Sequence, residues 1–328
     1  MNFHRMQRRG MLALSLASLV APKATSADTG YPRRSVRIIV GFAPGSSTDL
    51  GARFYAQKLT AALRQSFVVD NRPGASGQIA TDAVKNADKD GYTLLYSSGG
   101  TMAINLALYR GKLRYDTLRD FIPVAGFEKS PLCLVVRAGL PINNLTDMIA
   151  YVKARPDQTS FGTSGVGSTS HITMERLKKV AGLQITHVPY RGGGQVLTDL
   201  MGGQLDFTLD AMNVILPHRG NSKIRLIAVT SKDRLTMLPE IPTLAEKLPG
   251  FEVFVWPGLF APVGTPAEIV EILNLTVSEQ MRRGDYAPAI EDLGSLPNTG
   301  NSQQFRAFVQ QQIEMWDQVV KLTGVQPE

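Results

Sequence analysis

The chain has 328 residues, 43% of them hydrophobic, and its 35 Lys and Arg against 28 Asp and Glu give a formal net charge of +7. Four of those bases (Arg5, Arg8, Arg9 and Lys23) fall within the first 27 residues, which hold no acid, so the remainder carries +3 and no basic run interleaved with aromatics; nucleic acid is excluded as a partner on that pattern. Roughly 300 residues exceed what a single core holds comfortably, so two lobes are expected.

Arg5, Arg8 and Arg9 precede an apolar stretch from Met11 to Val20 and small residues ending in Thr25, Ser26 and Ala27. This is the three-part layout of a secretory signal peptide. Its apolar core is about half the roughly 20 residues that a membrane-spanning helix requires, so export with cleavage near residue 27 is expected rather than anchoring. The run from Gln7 to Leu12 loosely resembles a twin-arginine signal, and a general secretory route fits as well.

From residue 35 to 42 the run Ser-Val-Arg-Ile-Ile-Val-Gly-Phe reads as a strand buried on both faces, as in a parallel sheet covered by helices. Residues 43–49 form a Gly/Ser/Thr loop. A helix follows, with Ala52, Tyr55, Ala56, Leu59, Ala62 and Leu63 on one stripe and Thr48 or Asp49 as the expected N-cap. The same alternation continues: strand 67–69, helix 77–86, strand 92–97, then strand 131–136 and helix 145–154. Cys133, the single cysteine, lies in the apolar run 132–136, cannot form an internal disulfide and reads as a core thiol. Strand 159–162 leads into a second Gly/Ser loop and a helix over about 170–180, with Met174, Leu177 and Ala181 on one face. Further strands are expected at 185–188, 205–209 and 224–230. Thr265-Pro-Ala-Glu268 opens a helix with Thr265 as cap and Pro266 in the first turn, and an amphipathic helix closes the chain over 302–322. Strand and helix alternate throughout, which predicts an α/β fold.

Three segments rich in glycine and hydroxyls end strands: 43–49, 97–102 and 164–171. Ligands of open α/β sheets bind beyond the carboxyl ends of strands, and the unpaired N–H groups of a helix N-terminus suit an anion. The dipole contributes only about 0.3–1 kcal/mol, whereas micromolar affinity needs about 8 kcal/mol. Several charge-assisted hydrogen bonds must therefore converge, which favours a cleft gripped from both sides. Each loop taken alone reads equally as a βα turn with capping serines.

Catalytic patterns are missing from the sequence. Ser168 and His171 lack the G-x-S-x-G elbow, His187 and His218 stand apart, and no Cys/His/carboxylate cluster has metal-ligand spacing. Gly165-Val-Gly167 lacks the third glycine of a dinucleotide fingerprint, Ser170 standing in that place, and no phosphate-binding loop occurs. No cofactor or metal is expected. An enzyme acting on a small carboxylate, or a ligand sensor feeding a signalling partner, is the alternative to simple binding.

Phe42-Ala-Pro-Gly-Ser-Ser-Thr-Asp-Leu-Gly-Ala-Arg53, Asn71-Arg-Pro-Gly-Ala-Ser-Gly77, Asp90-Gly-Tyr-Thr-Leu94, His187-Val-Pro-Tyr-Arg-Gly192 and Pro239-Glu-Ile-Pro-Thr-Leu-Ala-Glu246 resemble the Bug family, the extracytoplasmic receptors of tripartite tricarboxylate transporters. Trp256-Pro-Gly-Leu-Phe-Ala-Pro262 with Gly264-Thr-Pro266 fits the same pattern, so the resemblance runs in order along nearly all of the chain after residue 27. It implies a two-lobed periplasmic binding protein of the "Venus flytrap" type, each lobe a mixed sheet flanked by helices, monomeric, with crossings near residues 125–131 and 251–257. Lobe I would hold residues 28–130 and 255–328, and lobe II residues 131–254. The implied ligand is a small carboxylate (a di- or tricarboxylate, an acidic amino acid or an aromatic acid), and the implied partners are the transporter's membrane subunits. Carried over by position, the ligand contacts would be Ala43, Gly45, Ser46, Ser47, Thr48 and Asp49, then Gly99 and Thr101, and from lobe II Ser164, Gly165, Gly167, Ser168, Ser170 and Asp210. Asp49 reads as a helix cap more than as a direct contact. Where the family pattern has a second glycine after the proline, this chain has Ser46, which would narrow the pocket or add a donor.

Overall fold

The computed structural model describes residues 30–190, 193–283 and 286–327. The expected signal peptide lies outside the described residues, as do Arg191 and Gly192 of the fourth motif.

The chain opens with β1 (Val36–Val40), α1 (Ser47–Leu63), β2 (Phe67–Asn71), α2 (Gln78–Lys85) and β3 (Thr93–Ser98). β1 lies between β2 and β3 and is parallel to both, its residues Val36, Ile38, Ile39 and Val40 buried. A one-turn π-type segment from Gly100 to Ile104 runs into the short helix α3 (Asn105–Leu108), followed by α4 (Thr117–Asp120) and β4 (Phe121–Gly126). One residue, Phe127, separates β4 from β5 (Glu128–Arg137), which belongs to the other sheet. There α5 (Leu145–Lys153), β6 (Ser160–Thr163), α6 (Thr169–Ala181), β7 (Thr186–Pro189), α7 (Gly193–Met201), β8 (Phe207–Ala211), α8 (Met212–Ile215), β9 (Ile224–Val229) and β10 (Phe254–Val255) follow. Trp256 alone separates β10 from β11 (Pro257–Pro262), which returns to the first sheet. The chain ends through α9 (Ala267–Arg282), α10 (Tyr286–Glu291), β12 (Leu296–Pro297) and α11 (Ser302–Thr323).

The molecule is therefore two-lobed, each lobe a mixed sheet flanked by helices. The first sheet has the order β2-β1-β3-β11-β4, with β11 antiparallel to both neighbours. In the second, β10-β5-β8-β6-β7, the long strand β5 also takes β9 and β12. β6 is parallel to β7 and β8, and β5 runs antiparallel to its partners. Cys133 is fully buried on β5 and free, as its apolar run predicts. The apolar core continues from lobe to lobe: α11 packs on both β4 and α6, and Trp256, Phe305 and Trp316 join one buried cluster with Phe161, Ile172 and Met174. Where β4 passes into β5, the Tyr55 hydroxyl of α1 donates to the Glu128 carboxylate and contacts the Tyr286 hydroxyl. Burial pushes the Glu128 carboxyl up to about 8.

Two expected caps are corrected. α1 is capped by Ser46, not by Thr48 or Asp49: Ser46 has the extended backbone of a cap (φ −68°, ψ 158°), and its Oγ accepts from the Asp49 N–H at 3.2 Å. α9 is entered from Pro266, whose ψ of 138° makes it the cap itself, while the Thr265 hydroxyl is spent on the Pro262 carbonyl at 2.8 Å. Sequence periodicity did not reveal α7, which starts on two glycines, or β11, whose Pro-Gly start hides a central strand. Among the described residues no helix is long and apolar enough to cross a membrane.

Candidate ligand-binding site

At the carboxyl end of β1 the chain turns through Ala43, Pro44 and Gly45 into α1. Gly45 has φ +81°, a conformation that side chains rarely tolerate, with open space where a Cβ would stand. The Ser46 N–H returns to the Ala43 carbonyl at 3.1 Å, and the Ser46 carbonyl accepts from Leu50 at 2.9 Å. Asp49, buried three residues into the helix, fixes this turn: Oδ2 accepts from the Gly45 N–H at 2.8 Å and from Arg53 Nε at 3.0 Å, and Oδ1 accepts from Asn71 Nδ2 at 2.8 Å. Burial alone would raise its proton affinity, but the hydrogen bonds from Arg53, Gly45 and Asn71 and the guanidinium charge hold the carboxyl below its ordinary value. Asp49 thus shapes the loop from within, while Ala43, Gly45 and Ser47 stay exposed.

The same construction recurs at the end of β6. Gly167 has φ +76°, and Ser168 caps α6 with φ −66° and ψ 157°, its Oγ accepting from the His171 N–H at 3.2 Å. The Ser168 N–H returns to Gly165 at 3.2 Å, and the Ser168 carbonyl accepts from Ile172 at 3.0 Å. In the place of Asp49 stands His171, whose Nδ1 accepts from the Gly167 N–H at 3.2 Å. The two segments, Gly45-Ser-Ser-Thr-Asp49 and Gly167-Ser-Thr-Ser-His171, are readable as a repeat once the roles are known. The Ser168 hydroxyl is bonded to the backbone N–H of His171, and the ring nitrogen Nδ1 to the Gly167 N–H.

His171 lies flat on His187 of β7, with ring centres 4.0 Å apart and planes 15° from parallel, and His187 stacks in turn on Phe161. His187 Nε2 and the Thr163 hydroxyl are 2.7 Å apart, and that hydroxyl reaches the Gly165 carbonyl at 3.3 Å. Burial, with His171 and Lys178 nearby, pushes His187 down to about 3, so its ring is neutral.

Ser164 is exposed and Gly165 to Thr169 are half-buried, whereas Ser170 is buried against Asp210 at the end of β8. Asp210 Oδ1 accepts from the Ala211 N–H at 2.7 Å, and its other oxygen lies so close over Gly193 that a Cβ there would stand 2.5 Å away. Burial raises its carboxyl to about 6 against the hydrogen bonds from Ala211 and Ser170. The second loop of lobe I is engaged inside its own lobe. The Gly99 N–H donates to the Trp256 carbonyl at 2.9 Å, with the indole filling the space of a Cβ, and the buried Thr101 hydroxyl donates to the Ser76 carbonyl at 3.1 Å. Gly167 and Leu108 of α3 bring the lobes together: a Cβ on Gly167 would stand 2.9 Å from the leucine side chain.

Ser46, which departs from the family pattern, is the counterpart of Ser168. The residues that hold these loops, Arg53, Asn71, Thr163, His171 and His187, are not among the expected contacts; Arg53, Asn71 and His187 stand in the motifs that carry the family resemblance, and His171 ends a spacing from Gly167 that matches Gly45 to Asp49. No group of three or more His, Cys, Asp or Glu able to hold a metal occurs among the described residues.

Residues 52–325 match the family described as "Tripartite tricarboxylate transporter family receptor". Protein BugT of Bordetella pertussis is 36% identical over 326 residues, which cover 99% of each chain. An R. palustris protein solved with adipate superimposes with a TM-score of 0.83 at 37% identity, over 91% of this chain and all of the other. MatC from Rhodopseudomonas palustris, solved with bound malate, gives 0.78 at 34% identity, over 88% of this chain and 100% of its own.

Proposed function

We propose, from the premise that this chain belongs to the tripartite tricarboxylate transporter receptor family, that it captures a small carboxylate between its lobes in the periplasm and delivers it, as a monomer, to the membrane subunits of such a transporter. Adipate and malate in two similar proteins support that class of ligand. The observation that carries the reading is the pair of glycine-led, serine-capped helix N-termini, one in each lobe, each beyond the carboxyl end of a strand. The first N–H groups of α1 and α6 have no intrahelical partner and carry the positive end of the helix dipole. Ser46, Ser47 and Thr48 on one side, and Ser164 and Ser168 on the other, would supply hydroxyl donors and Ser47, Thr48 and Ser170 first-turn backbone N–H groups, while Ala43, Gly45, Gly165 and Gly167, whose small size leaves the loops open, would let the ligand approach the backbone closely. With each N-cap oxygen accepting from its own helix, the Ser46 and Ser168 hydroxyl protons remain available to a carboxylate. Asp49 is a brace, and Asp210 beside Ser170 would meet a hydroxyl or ammonium group of the ligand. The lobes divide at Phe127 and Trp256, where the chain changes sheet.

A thermal-shift screen of the purified protein with malate, adipate, citrate, acidic amino acids and aromatic acids tests the reading. Bound ligand raises the melting temperature because it binds the folded state alone, and the ligand recovered after long incubation should be unchanged. A panel in which no carboxylate raises the melting temperature, or a recovered ligand that has been converted, overturns it. Mass spectrometry of the native envelope protein should show a new N-terminus near Asp28; an intact Met1 there would refute export with cleavage.

A further inference from the structure

The two loop-to-helix units differ in one respect that concerns binding. In lobe I the glycine N–H is held by a carboxylate that keeps its charge below the ordinary carboxylate range. In lobe II the equivalent N–H is held by an imidazole nitrogen. We propose that His171 is a positioning residue for the ligand-holding loop and does so only while its ring is neutral, so that proton uptake by His171 releases residues 165–168 and lowers affinity for the carboxylate. This rests on reading the two loops as the binding site.

An imidazole nitrogen that accepts from an N–H carries a lone pair, so the proton of neutral His171 sits on Nε2. Nε2 is 4.0 Å from Glu175 Oε1 on the same helix, a carboxylate shared with Lys178 at 2.7 Å. A second proton must go to Nδ1, where it meets the Gly167 N–H head-on. The hydrogen bond becomes a contact between two donors, while the imidazolium gains Glu175. Gly167, at φ +76°, is followed directly by Ser168, whose hydroxyl caps α6.

His187, stacked against His171, is held neutral by burial, and its Nε2 is engaged with the Thr163 hydroxyl, which in turn reaches Gly165. Both glycines of the loop are therefore tied, directly or through one hydroxyl, to the stacked pair. On β8, Asp210 faces Ser170. Arg176 of α6 is turned to the Gly250 carbonyl, and on α11, which packs on α6, Asp317 is held by Arg110 and Lys321. Asp210, raised to about 6, titrates in the same interval as a histidine, so the test must separate the two.

His171→Asn does so, because the asparagine Oδ1 can take the place of Nδ1, remains an acceptor at every pH and leaves Asp210 untouched. Isothermal titration with malate and with adipate at about pH 7.5 and about pH 5.5 compares the two proteins, so that titration of the ligand itself cancels. With each protein referred to its own affinity at the upper pH, the wild-type affinity should fall about tenfold further on acidification than that of His171→Asn. Nitrogen NMR of the ligand-free wild type supplies a second readout: neutral His171 should carry its proton on Nε2, and the Gly167 amide should shift with the same midpoint as the ring. Equal pH slopes in both proteins, a neutral ring protonated on Nδ1, or a Gly167 amide indifferent to His171 would each overturn the proposal. Should neither malate nor adipate bind the wild type at the upper pH, the choice of ligand fails, and the NMR measurement still decides whether the ring governs the loop.

Discussion

The loops at the ends of β1 and β6 share a backbone and differ in what holds it. Gly45 and Gly167 stand at φ +81° and +76°, and Ser46 and Ser168 at φ −68° and −66°. The acceptor for the glycine N–H is an ionised carboxylate braced by Arg53 and Asn71 in one, and a stacked imidazole in the other. The loop conformation thus follows from a glycine before the cap and a serine at it, and the third helical residue need only present a lone pair. What its chemistry does decide is how each lobe answers to charge and pH.

Valine in place of either glycine breaks the shared backbone, and unequally. Gly45→Val meets open space and suffers only from its positive φ, about 2 kcal/mol, whereas Gly167→Val also drives into Leu108 and should cost about 4 kcal/mol. Urea denaturation measures both, and equal losses would mean that the lobe contact at Leu108 carries no weight. Carboxylate affinity should collapse in both variants.

The two buried aspartates sharpen the contrast through opposite slopes with pH. Asp210 has a folded value near 6, above its unfolded value of about 4. The folded state therefore binds more protons between those values, and stability falls as pH rises through that window. Asp210→Asn should remove the slope and gain about 2 kcal/mol at neutral pH. Asp49 is depressed, so its contribution is complete above about pH 4 and is lost as pH falls further. Asp49→Asn should be less stable at neutral pH, by about 1–2 kcal/mol since Arg53 is half exposed, and should lack that acid-side loss. Melting temperatures of the three proteins across pH decide both signs.

The smallest effects belong to the caps. Ser46→Ala and Ser168→Ala should each cost about 1 kcal/mol of stability and, if the hydroxyls also meet the ligand, about tenfold or more in affinity. A loss of affinity in one variant alone would place the carboxylate on one lobe.

Most of the alternation of strand and helix was legible because apolar stripes such as Ala52, Tyr55, Ala56 and Leu59 are buried as their spacing requires. The cap of α1 was not, since Ser46, Ser47, Thr48 and Asp49 all favour that position and the choice lies in ψ, which composition does not encode. Gly99 and Thr101 carry the residue types of an anion loop, yet the structure commits their polar groups to Trp256 and Ser76, partners distant in sequence. The role of His171 was hidden for the same reason: its ring accepts from Gly167 and stacks on His187, a residue 16 positions away that is itself bonded to Thr163.

The position of β11 between β3 and β4 bears on how the chain is made. The second sheet draws all its strands but the two-residue β12 from one continuous stretch, and can form as soon as residues 128–255 have left the ribosome. The first sheet cannot. β3 and β4 are both finished by residue 126, but neither is the other's neighbour, and each keeps an open edge until residues 257–262 have been translated to fill the gap. Unpaired edges of this kind invite pairing between chains. A nascent or truncated chain ending before β11 should therefore depend on chaperones, while one that ends after α11 should not.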